Sequence, residues 1–231
     1  MKLHTLILGA IFAIAVQNCA AAQVAGSDRD VQIADIDFTT QVLELTNFGS
    51  STVDLSGWRF CTHDEVDGFD YTSSAGLSGQ TLAAGETLSI HWNDDATGPD
   101  AINVSSLGGQ WIDDLTADGT GEAVQIGLYT SGPFGTSANL VDHLQYSFGG
   151  ADNATADRRG SVAEGAGLWG ADEDWIVVDE NSTSLALTAS PFTAAGATHT
   201  SSSFTVSAIP EPSALVLLLM GASGLGMRRR R

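Results

Sequence analysis

Three acidic clusters are the stretches of this chain best equipped for chemistry. Asp64, Glu65, Asp67 and Asp70 fall in one loop, Asp113, Asp114, Asp118 and Glu122 in another, and Asp172, Glu173 and Asp174 form a third group. Closely spaced carboxylates suit calcium, a hard cation that takes roughly six to eight oxygens. Asp64, Asp67, Asp70, Asp113, Asp114 and Asp118 are the metal ligands expected on this ground, and no other cofactor is expected. None of the clusters has EF-hand spacing, and Asp67-Gly68 and Asp118-Gly119 are also good turn formers. The same carboxylates would serve a glycoside hydrolase if two converged in a cleft beside aromatic residues. A third account is salt adaptation, in which acidic surface keeps the chain soluble.

Other patterns carry weaker chemistry. Cys61, His63 and His91 are zinc-ligand types, with Cys61 and His63 on one strand face, but no paired Cys-x-x-Cys accompanies them. As the single cysteine left after a leader is removed, Cys61 reads as a small half-buried residue. Asp142 and His143 have the types of a base and its orienter, without a Gly-x-Ser-x-Gly elbow. Gly165 to Gly170 spells Gly-x-Gly-x-x-Gly, but a dinucleotide loop needs a strand before it and a helix after it, and neither is evident.

The elements that would hold these groups are strands. The stretch from Val42 to Phe60 reads as two strands around a tight loop, with Leu43 and Leu45 on one face and Gly49 free to take positive φ. Gly57 breaks the alternation before Trp58 and Phe60, which suggests a bulge or close approach. Alternation recurs at Thr87–Trp92 and Ala123–Tyr129, and Leu140–Phe148 and Trp175–Val178 are further strand candidates. Between the two chain ends no helical apolar stripe appears. The fold class is therefore all-β, an immunoglobulin-like β-sandwich. Residues 64–79, 95–109 and 149–170 are expected as loops, the first as a long loop or an irregular edge hairpin. Residues 188–208, rich in Ser, Thr and Ala, are expected as a mostly flexible linker into which the last strand can extend by a few residues. Trp58 is expected in the core, whereas Trp111 and Trp169 lie in Gly-rich surroundings and are candidates to touch a partner.

The central stretch resembles the lamin tail domain. The carrying residues are Glu44, Leu45 and Asn47, then Asp54, Leu55, Gly57 and Trp58, with later similarity at Leu82–Leu88 and Leu140–Asp142. The resemblance covers roughly residues 31–187. It implies an immunoglobulin-like sandwich and, for bacterial versions, a non-catalytic module of a secreted or surface protein.

The two ends read as addresses. Met1 to Ala22 has a signal peptide's basic start, short apolar run and small-residue cleavage site. At the other end stand Pro210, Glu211 and Pro212, an apolar stretch from Ser213 to Met227, and Arg228, Arg229, Arg230 and Arg231. A helix there would be short for a bilayer, with the arginines on the cytoplasmic side. This end, residues 209–231, resembles the PEP-CTERM sorting signal. That resemblance implies an exosortase-type enzyme as partner, transient anchoring in the inner membrane by an apolar helix, and delivery to the surface or extracellular matrix.

The net charge of −19 over 231 residues, with Lys only at position 2, excludes nucleic acid as a partner. The leading expectation is an exported, non-catalytic surface or matrix protein presenting one sandwich, with extracellular polysaccharide as a possible ligand. The alternatives are a small secreted hydrolase acting on polysaccharide through loop carboxylates and a calcium-dependent adhesin.

Overall fold

Strands form where β-branched, leucine and aromatic residues alternate with polar ones, because a pleated strand sends successive side chains to opposite faces. The structure, a computed structural model, describes residues 28–64, 68–116, 123–148, 157–188 and 198–209. In chain order its strands are β1 (Val31–Asp37), β2 (Val42–Asn47), β3 (Val53–Asp54), β4 (Arg59–Asp64), β5 (Gly68–Tyr71), β6 (Thr81–Leu82), β7 (Thr87–His91), β8 (Ala101–Asn103), β9 (Ala123–Tyr129), β10 (Leu140–Phe148), β11 (Ile176–Val178), β12 (Ser182–Leu187) and β13 (Phe204–Ala208). A helix, α1 (Asp157–Gly165), lies between β10 and β11.

The first sheet has the order β13-β12-β1-β2-β7-β8, the second β11-β10-β9-β4-β5, and β3 pairs with β6 in a small ribbon. Pairing is antiparallel except at β7–β8 and β10–β11. The two sheets lie face to face, consistent with an immunoglobulin-like sandwich. Ile33, Ile36, Leu43, Leu45 and Ile90 of one sheet meet Phe60, Ile126, Leu128, Leu144 and Tyr146 of the other, all in one buried cluster. Phe38 and Tyr146 touch across it, with ring centroids 5.5 Å apart. Burial of each such side chain contributes about 1.5–3 kcal/mol.

The stretch from Val42 to Phe60 is not one hairpin. β2 pairs with β1 and β7, whereas β4 pairs with β5 and β9, so the stretch crosses from one sheet to the other. Asn47 makes the crossing rigid. Its side-chain amide donates to the carbonyls of Ser51 and Leu82, each at 2.8 Å, and its side-chain oxygen accepts from the Gly49 N–H at 2.9 Å. Its backbone is clipped to the Leu82–Leu88 turn, where Asn47 N donates to Glu86 O and Gly85 N to Asn47 O. Gly49 is required by space rather than by positive φ, because a Cβ there would fall 2.1 Å from the Asp30 carboxylate. Trp58 is buried, as its place beside Phe60 implies.

Two further expectations are corrected. α1 occupies part of the predicted 149–170 loop. Its buried residues include Arg159, Gly160 and Ala163, so it shows no apolar stripe. Gly160 allows the close approach, since a Cβ there would stand 2.9 Å from the Gln145 side chain. The predicted linker is also not all linker. Residues 204–208 are β13, paired with β12 from Leu187↔Phe204 to Ser182↔Ala208. Phe204 is buried, but its alternation with Val206 is diluted by flanking Ser and Thr. The 64–79 stretch contains β5, which pairs with β4 as an edge hairpin, and the 95–109 stretch contains the short strand β8.

Candidate functional site

An open groove lies where edge strand β5 meets the segment after the 95–109 stretch. Asp70, Gly109, Gln110, Trp111 and Asp113 line a groove of about 420 Å³. Asp70 is buried, Trp111 half-buried, and Asp113 exposed. The segment is held in place by backbone bonds. Gln110 N donates to Tyr71 O at 3.0 Å, and Ile112 N to Thr62 Oγ1 at 3.4 Å. Ile112 O accepts from the Trp92 indole at 2.9 Å. Ile112 and Leu115 are buried anchors on either side of Asp113.

The groove brings together two of the expected calcium ligands from separate acidic loops, Asp70 and Asp113. Asp114 is described but does not line it. Asp67, Asp118 and the Asp64 side chain lie outside the described residues. Among the described residues no three His, Cys, Asp or Glu side chains gather into a group that could hold a metal ion. Sequence reasoning placed Trp111 at a contact surface but missed Gly109 and Gln110, which carry no local signal.

A second polar cluster is buried. Asp142 and His143 are neighbours on β10 and point to opposite faces, so they form no catalytic pair. Asp142 faces the first sheet, accepts from the Ile33 N–H at 2.7 Å, and stands 3.9 Å from His199 Nε2. That bond falls at the bulge of β1, between Ile33 and Asp35. Arg29 lies near Asp142 and attracts it, while burial lowers the guanidinium pKa. His143 faces outward under the α1 side of the sheet, with its Nε2 3.0 Å from the Gln145 side-chain oxygen. Gln145 in turn donates to Asp172 O and Asp174 O. Burial pushes His143 down to about 4, and it also depresses His199.

Trp169 belongs to this buried cluster and is not a surface platform. It is 1% exposed, donates its indole N–H to Asp174 O at 2.7 Å, and lies edge-on to His143 and parallel to His199. Its Gly neighbours reflect the end of α1. Ala166 N donates to Val162 O and Gly167 N to Glu164 O, so the Gly-x-Gly-x-x-Gly string closes a helix instead of opening one.

Cys61 is fully buried, not half-buried. It shares a face of β4 with His63, as expected, but His91 lies on the other sheet, 2.7 Å from Asp95. Burial pushes the Cys61 thiol up to about 11, despite the Arg159 cation beside it. A thiol so protonated is a poor nucleophile.

The two-sheet architecture and the Asn47 crossing define the class, an immunoglobulin-like β-sandwich. A family model, Lamin Tail Domain, matches residues 25–148, and the chain belongs to that family. A second model, the PEP-CTERM protein-sorting motif, matches residues 208–231. That motif marks an exported protein, recognised by an exosortase and sorted to the cell envelope or surface. No curated protein matches the chain. The lamin-tail match ends with β10, yet β12 sits beside β1 in the middle of the first sheet. The segment beyond the match therefore completes the sandwich. The expected signal peptide (residues 1–22) and the apolar stretch with its Arg cluster lie outside the described residues. Among those described, no helix is long and apolar enough to cross a membrane.

Proposed function

We propose that the protein is a non-catalytic module of the cell surface or extracellular matrix, held briefly in the inner membrane by its carboxyl end and then released by exosortase cleavage. The observation that carries this is the sorting motif placed directly after the last strand of a complete sandwich. β13 ends at Ala208, Ile209 N donates to Asn181 O, and the Pro-Glu-Pro triplet begins at the next residue. The folded unit is therefore delivered by the motif with almost no intervening chain. The non-catalytic part is supported by the use made of the buried polar groups. Asp142 fixes a bulge, Gln145 ties two backbone carbonyls, and His143 is kept neutral at ordinary pH.

Fractionation tests the reading. The parent protein is expected at the surface or in the medium, and a variant with Pro210, Glu211 and Pro212 replaced by Ala is expected to stay with the inner membrane. Identical distribution of the two would overturn the sorting. Release of reducing ends from polysaccharide by the purified protein would overturn the non-catalytic reading.

A further inference from the structure

We infer that the end of the sandwich from which the chain departs, around Val177, Glu180 and Ile209, is a docking surface for the sorting enzyme, which then reads the folded domain as well as the tail. The assignment rests on the sorting reading above. Among the described residues the large apolar side chains most open to solvent are Ile209 at 63%, Val177 at 57% and Tyr71 at 37%. Tyr71 lies on β5, at the far edge of the second sheet. The other two share the end where the chain leaves. Val177 is on edge strand β11, just before the turn into β12, and Ile209 donates its N–H to Asn181 O in that turn at 2.9 Å.

This exit has no slack. Asp179 Oδ1 accepts from Asn181 N and Asp179 O from Ser182 N, each at 2.9 Å, and Ser182 pairs with Ala208. The chain is thus fixed through Ile209, and the sorting-motif match already begins at residue 208. Three residues of chain reach at most about 11 Å, so the whole Pro-Glu-Pro triplet stands within that distance of Ile209. Even a domain of about 100 residues has a radius of gyration of about 13 Å. An enzyme that encloses the triplet therefore abuts the end of the sandwich, where Val177 and Ile209 are the apolar groups it meets. Asp179 and Glu180, both exposed, give that contact a polar rim. They also favour a protein over a lipid surface as the partner, because anionic headgroups would repel them and a chain of net charge −19.

The test is a pulse–chase of the full chain in cells that carry the sorting system, with intact mass reading the rate at which the tail is lost. Val177 is the residue to change, because it is remote from the triplet in sequence and cannot belong to a linear signal. Val177→Glu should slow loss of the tail at least about fivefold, and Val177→Ile should keep the parental rate. An insert of about twelve Gly and Ser residues between Ile209 and Pro210 spans roughly 20 Å and frees the triplet from the sandwich end. With the insert, Val177→Glu should come within about twofold of a parent carrying the same insert. A Val177→Glu protein with parental melting temperature and parental rate would overturn the docking alone. So would an effect that survives the insert, because the loss would then come from folding or export. Where Val177→Glu fails to fold, Val177→Ser decides on the same terms. Val177-dependent flotation of the tail-less form with vesicles of phosphatidylethanolamine and phosphatidylglycerol would assign the surface to the membrane and overturn the enzyme as its partner. A parent that never loses its tail would overturn the sorting reading, and the docking with it.

Discussion

Asp35 sits opposite Glu44 across β1 and β2, with Asp37 two residues further along. Burial, then Glu44, then Asp37 push its pKa up to about 6. A carboxyl raised above its unfolded value favours folding at low pH, and that contribution is lost as pH rises through about 6. Asp35→Asn is therefore expected to raise the melting temperature at pH 8 and to have little effect near pH 4; thermal melts at the two pH values check it. His143 acts in the opposite sense. Held at about 4 when folded, it stabilises the protein above its unfolded pKa, and the stabilisation disappears as pH falls from about 6.5 toward 4. The full effect is of the order of 3 kcal/mol. Urea titrations across that range should show the fall, and His143→Gln should reduce it, leaving the part of the same sign that buried His199 contributes. A parental slope in the variant would assign the pH dependence elsewhere. Trp58→Ala should cost about 3–5 kcal/mol, from lost burial and a cavity. A variant as stable as the parent would mean that Trp58 anchors no core.

At the scale of elements, β13 is the consequential surprise. Phe204 packs 5.5 Å from the His199 ring and 6.1 Å from Trp169, so the carboxyl-terminal strand closes the end of the core that holds the buried histidines. Phe204→Ala is expected to cost about 3–5 kcal/mol, as a core aromatic does. Chemical denaturation would read this, and no loss would restore the view of residues 188–208 as linker. The central strands were legible in sequence because their apolar alternation is long: Leu43 and Leu45, Leu88 and Ile90, Val124, Ile126 and Leu128. β13 was not, because one buried Phe among Ser and Thr gives no period. α1 was not, because it meets the sheet through Arg159, Gly160 and Ala163. Trp169 was misplaced for a related reason: its Gly neighbours cap a helix. Of the groove, Trp111 could be picked out as an aromatic in a polar loop. That Asp70 and Asp113 share it depends on how the 109–113 segment crosses β5, which no local pattern records.

The whole molecule joins two features, a two-sheet sandwich and a carboxyl-terminal address that begins at its last strand. A chain delivered this way should lose the address on arrival, and its leading residues as well. Intact mass of the protein recovered from the cell surface or medium tests this most directly. The expected species lacks residues 1–22 and no longer ends in the Arg228–Arg231 cluster, but retains β13 through Ala208. A surface species still ending at Arg231 would contradict it.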